Sequence, residues 1–204
     1  MFQLFNFICF FIITIPTLLT QKFIDNKYYT EMYNKRILLH DIRDFLPIYN
    51  NLYITLFLDG TCILLSYYTY SIISKEDINL FFFVYTILML LRNICYSITI
   101  LPPPSPNKNK SIFIGGRCDA VFSGHTTLIV LNVLILSKYV NNYLILYLFS
   151  LFYSYILLTS RAHYSIDVFI AYILTISIYN NISNLQNYSE FVPPDFIGKD
   201  SLPV

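Results

Sequence analysis

Charge is what this sequence has least of. Asp, Glu, Lys and Arg make up 12% of its 204 residues, about half the share of a typical soluble domain, which excludes a surface bathed in water on all sides. Thirteen basic residues against twelve acidic ones leave a net charge of +1. That balance supplies neither a basic field for nucleic acid nor an acidic tail for a cationic partner. The four cysteines, Cys9, Cys62, Cys95 and Cys118, form no C-x-x-C pair and no finger-like spacing, so neither a disulfide framework nor a zinc finger is expected. Internal repeats are also missing, and the richness in Ile, Asn, Tyr and Phe is spread evenly enough to read as compositional bias. What the chain does have is apolar content: 56% hydrophobic residues and a mean hydropathy of +0.57.

A helix needs roughly 20 mostly apolar residues to cross a bilayer, and candidates near that length fall at about 2–20, 51–74, 78–100, 120–138, 142–159 and 164–181. Lipid cannot satisfy exposed backbone groups, so such runs must be helical, and the alternation of a membrane β-strand is absent. The expected fold is therefore all-α: a polytopic integral membrane protein with six transmembrane helices. The first run has no basic segment before it and a poor small-residue cleavage site at Pro16–Thr20, so it reads as a retained span and not as a secretory signal. A polar loop over 21–50 follows, and the five spans of 51–181 form the expected catalytic core. Pro102-Pro103-Pro104-Ser105-Pro106 ends the third span and holds the next connection extended. The segment 182–204, with Pro193-Pro194, is expected to be an irregular tail.

Ionisable residues inside spans are costly and mark candidate functional sites. Here they cluster. Ser123-Gly124-His125-Thr126 opens the fourth span, and His163-Tyr164-Ser165-Ile166-Asp167 opens the sixth, where i, i+4 spacing puts His163 and Asp167 on one helical face. If the spans alternate in direction, both openings lie at the same membrane surface and the two histidines can meet.

Two histidines and a carboxylate suit a double displacement at phosphorus: one imidazole attacks while the other protonates the leaving alkoxide and later deprotonates the incoming hydroxyl. No metal and no cofactor are expected for this chemistry. A zinc site from Asp119, His125, His163 and Asp167 is the weaker reading, because no helix carries the i, i+4 histidine pair typical of metallohydrolases. Arg117 and Arg161 flank the motifs and suit either a phosphate fork or interfacial anchoring. Asp119 could orient His125 or contact a cationic head group; Ser123 and Tyr164 complete the expected binding set. Asp59 and Arg92 lie at similar depth, about 12 Å into the second and third spans at 1.5 Å per residue. An intramembrane ion pair between them is expected, as a helix clamp or a support beneath the phosphate site.

At these residues the chain resembles the sphingomyelin synthase family, a branch of the type-2 phosphatidic acid phosphatase superfamily. The resemblance spans about 45–182 and is carried by Leu91-Arg92, Ile98-Thr99-Ile100-Leu101-Pro102, D-A-V-F-S-G-H-T from Asp119 to Thr126, and H-Y-S-I-D-V-F-I-A-Y from His163 to Tyr172. The chain departs from the family in having Arg117-Cys118-Asp119 where Cys-Gly-Asp is common. Ser160-Arg161-Ala162-His163 is similar to plant and protozoan inositol phosphorylceramide synthases. The resemblance implies His163 as nucleophile, Asp167 as its partner and His125 as general acid/base. It further implies a phospholipid donor, a ceramide acceptor and a site on the lumenal or exoplasmic side of the Golgi, ER or plasma membrane. Most basic residues would then lie on the lumenal side, opposite to the positive-inside rule. The leading expectation is a ceramide phospho-head-group transferase for choline, ethanolamine or inositol phosphate. The alternatives are a lipid phosphate phosphatase using water and a catalytically silent lipid-binding membrane protein.

Overall fold

The computed structural model describes residues 8, 11–17, 19–20, 22–23, 27, 41–49, 52–101 and 119–191. A 3-10 turn, Ile42–Phe45, precedes five helices: α1 (Leu52–Ile72), α2 (Lys75–Ile98), α3 (Gly124–Leu136), α4 (Tyr143–Thr159) and α5 (Ser165–Phe191). A two-residue antiparallel ladder, β1 (Ile100–Leu101) with β2 (Asp119–Ala120), leads from α2 back towards α3. Apart from that ladder the described chain is all helical.

Three of the helices are long and apolar enough to cross a membrane: Leu52–Ile72, Lys75–Tyr96 and Ser165–Leu185. Gly124–Leu136 and Tyr143–Thr159 are shorter apolar helices. The expected first span is described only in part; residues 11–17 are helical, and Thr17 Oγ1 accepts a 2.6 Å bond from Asn93 Nδ2 of α2. The expectation of an irregular tail over 182–204 is corrected for 182–191, because α5 continues to Phe191; residues 192–204 lie outside the described residues. No proline falls between the start of α5 and Pro193, so nothing forces the helix to stop at the end of its apolar run.

Hydrogen bonds between helix ends fix the direction of each element. At one end Asp59 of α1 meets His125 of α3, Arg92 of α2 lies against Gly124, and the Ser123 N–H donates to the Asp167 carbonyl at 3.1 Å. At the other end Ser74 N–H donates to Tyr139 Oη and Lys138 Nζ to Asp77. The starts of α1, α3 and α5 therefore share one face of the bundle with the ends of α2 and α4.

The central helix is α3, buried from Gly124 to Leu136 almost without a break. Leu80, Val84, Leu88, Leu131, Ile135 and Leu136 form one core cluster, while Leu58, Cys62, Ile129, Tyr153 and Leu157 form another. Helix α4 is turned inside out relative to a soluble helix: Leu144, Leu148, Leu151 and Phe152 are exposed while Ser150 and Ser154 are buried. Both serines bond Tyr172 Oη of α5, at 3.0 and 3.2 Å. Apolar side chains outside and hydroxyls at the helix contacts are the arrangement expected in lipid, where hydrophobicity does not drive helices together and polar contacts help to join them.

Candidate active site

The two histidine motifs are built by the same local device. Each follows a sharp reversal, and the non-glycine residues that make those reversals have left-handed backbones: Phe122 with φ 65° and Arg161 with φ 59°. Such residues cost about 1 kcal/mol or more and persist where surrounding contacts hold them. Ser123 then caps α3, its Oγ accepting the Thr126 N–H at 3.2 Å. At α5 the Asp167 carboxylate reaches back, Oδ2 accepting the Tyr164 N–H at 3.1 Å, which is the return half of a capping box. The bond from Ser123 N–H to the Asp167 carbonyl joins the two openings.

This joint brings His125 and His163 together, with ring centroids 6.0 Å apart and planes inclined at 64°. Both are nearly buried, 5% and 6% exposed. The separation is short enough for both rings to serve one phosphorus atom.

The expected Asp59–Arg92 ion pair is replaced by a different pairing. Asp59 Oδ1 stands 2.8 Å from Nε2 of His125, and both are buried. An Nε2–H donating to this carboxylate leaves Nδ1 as the nitrogen that can take up and release a proton, so Asp59 is placed to orient His125 and to stabilise its protonated ring. Arg92 lies on another side of the same histidine motif. Its guanidinium stacks over the Tyr96 ring, 5.3 Å from the centroid, with Nη2 3.5 Å from Tyr96 Oη. It also abuts Gly124 so closely that a Cβ there would fall 2.3 Å from Nη1. Arg92 is 4% exposed, and its Nε has no hydrogen-bond partner among the described residues. A buried guanidinium with donor capacity to spare beside the His125 motif is suited to an anion.

The remaining sequence candidates separate. Arg161 is occupied elsewhere: Nη1 reaches Asp44 Oδ1 at 3.4 Å and Nη2 donates to the Leu46 carbonyl at 3.2 Å. Tyr164 is buried beside His163. The backbone of Asp119 lies in the β ladder; its side chain and the whole of Arg117 lie outside the described residues. Among the described residues no group of three or more His, Cys, Asp or Glu could hold a metal ion.

Depth was the signal that sequence reasoning misread. Asp59 is the eighth residue of α1, about 10 Å below its start at 1.5 Å per residue. Helix α3 has only 13 residues, about 20 Å against a hydrocarbon thickness of roughly 30 Å. Its first turn therefore sits as deep as Asp59, and the site is recessed below the ends of α1 and α2.

Residues 117–185 match the family model described as PAP2 superfamily C-terminal, a stretch that contains both histidine motifs. The match supports the type-2 phosphatidic acid phosphatase superfamily, whose members are phosphatases and phosphotransferases. With the apolar helices, it supports an integral membrane enzyme acting on lipid phosphates. No curated protein matches the chain.

Proposed function

We propose that the protein is a ceramide phospho-head-group transferase of the sphingomyelin synthase type, working on the lumenal or exoplasmic side of its membrane. The observation that carries the reading is the buried His125–His163 pair, 6.0 Å apart, at the bottom of a recess among lipid-facing helices. In the first step a ring nitrogen of His163 attacks the phosphorus of a glycerophospholipid. The bond to the diacylglycerol oxygen breaks, and His125 gives that oxygen its proton. In the second step the primary hydroxyl of ceramide passes its proton to His125, its oxygen bonds to phosphorus, and the phosphorus–nitrogen bond breaks. Asp59 orients His125, Asp167 orients His163, and the Arg92 guanidinium grips the phosphate oxygens while negative charge builds. A recessed site of low water content favours a lipid alcohol over water.

The test is to incubate purified protein with labelled ceramide and a panel of phospholipids. A phosphorylated ceramide with stoichiometric diacylglycerol is the expected outcome, and the productive donor identifies the head group. Free phosphate or phospho-alcohol alone would reassign the protein as a hydrolase. No product from any donor would reject both.

A further inference from the structure

Residues 41–49, immediately before α1, are tied to the hairpin between α4 and α5 on both sides of His163. Upstream of the histidine, the Tyr49 N–H donates to the Thr159 carbonyl at 2.9 Å, and Arg161 holds Asp44 and the Leu46 carbonyl. Downstream of it, Asp41 accepts from both the N–H (2.8 Å) and the Oγ of Ser165, the first residue of α5. The segment thus bridges the loop that carries His163. Its most exposed side chains are apolar, Phe45 at 91% and Ile48 at 67%, beside the half-exposed carboxylate of Asp44. Phe45 and Ile48 beside a carboxylate suit a segment lying at the boundary between lipid and water.

We propose that this strap is the water barrier of the site, and that Asp41, Asp44 and Arg161 thereby decide whether the phosphoryl group passes to a lipid alcohol or to water. The inference rests on the phosphohistidine reading above. Once the group is on His163, either nucleophile gives a balanced second step. The attacking hydroxyl loses its proton to His125, the new oxygen–phosphorus bond forms, and the bond to His163 breaks. With ceramide the product is the phosphodiester; with water it is the free phospho-alcohol. The strap excludes the smaller nucleophile by leaving it no path from the aqueous side. Arg161 acts here as a positioning residue, because both terminal nitrogens of its guanidinium are committed to the strap.

Full-length Asp44→Ala, Asp41→Ala and Arg161→Gln variants test this in two readouts. The first is the ratio of phospho-alcohol released to phosphorylated ceramide formed, which a general loss of folding would leave unchanged because both products fall together. Each variant should raise that ratio by at least about 10-fold, while Asp44→Glu, which keeps the carboxylate, stays near wild type. The second is the rate at which diethyl pyrocarbonate, added from the aqueous side, modifies the peptide containing His163; it should rise in the same variants and needs no turnover. An unchanged product ratio, or an unchanged modification rate, would overturn the proposal. Arg161→Gln lowering both products equally while Asp44→Ala does nothing would also overturn it, and would make Arg161 a phosphate ligand. Failure of the wild type to form either product would reject the transferase reading, and the modification rates would still decide whether the strap shields His163.

Discussion

The two ends of the bundle are tied by the same kinds of bonds with different consequences. At the far end, Asp77 accepts from Lys138 Nζ at 2.8 Å and from Tyr139 Oη at 2.5 Å, and Ser74 caps α2 through Asp77 N–H. The Lys138 side chain there is 40% exposed. At the site end, Asp59, Arg92, His125, His163 and Asp167 are all nearly buried. Water substitutes for a lost partner at the first end and not at the second, so similar distances carry very different energies. One end closes the helices; the other keeps charged groups where a reaction can use them.

The sharpest way to break the contrast is to remove the imidazoles. His163→Ala and His125→Ala should each lower turnover by at least about 10²-fold with the fold retained, measured by head-group transfer and by thermal unfolding in detergent. Activity near wild type in either variant would reject the assigned roles. Gly124→Ala comes next. The added Cβ collides with Arg92 Nη1, so the guanidinium must move; overpacking of this kind costs about 1–3 kcal/mol, and transfer should fall by about 10²-fold if Arg92 grips phosphate as proposed. Asp59→Asn should lower kcat by at least about 10-fold with KM little changed, because it disturbs the orientation of His125 without removing the ring. A variant with wild-type kcat would mean that the carboxylate only packs.

The smallest effect belongs to the far end. Partial burial disfavours the Lys138 charge, but hydrogen bonding to Asp77 and the neighbouring Tyr179 more than offsets this and holds its pKa above the ordinary lysine value. A raised lysine pKa contributes stability that is full at neutral pH and is lost as pH climbs past the ordinary lysine range. Asp77→Asn should therefore cost no more than about 1 kcal/mol near neutral pH, leave transfer unchanged, and flatten the stability loss at high pH. A collapse of activity in this variant would erase the distinction between the two ends.

Much of this contrast could be read before any coordinates. The motifs around His125 and His163 were legible because a membrane segment makes every ionisable residue conspicuous, and alternating spans put both openings on one side. Asp59 and Arg92 were conspicuous for the same reason, yet their partners were not legible. Each helix's vertical offset is set by packing against its neighbours, which no local pattern encodes. The shortness of α3 lowers His125 to the level of Asp59, and that shift exchanges one expected pairing for another. The strap was hidden differently: Asp41 and Asp44 looked like ordinary polar-loop residues and Arg161 like a phosphate fork or interfacial anchor, since their connection spans 117 positions for Arg161–Asp44 and 124 for Ser165–Asp41.

A second cross-link between α1 and α3 extends the pattern of the first. Asn132 Nδ2 donates to Ser66 Oγ at 3.1 Å, and this link, like Asp59–His125, joins positions 66 apart. Two equally offset links work like the paired marks of a vernier: sliding or twisting one helix against the other cannot preserve both. One residue inserted between Asp59 and Ser66 would rotate everything beyond it by about 100°, so the pair could be satisfied at the histidine or at the asparagine, never at both. The placement of the His125 ring is thus partly a matter of residue counting along α1, fixed as much by Ser66 and Asn132, about two turns further along, as by its own carboxylate partner.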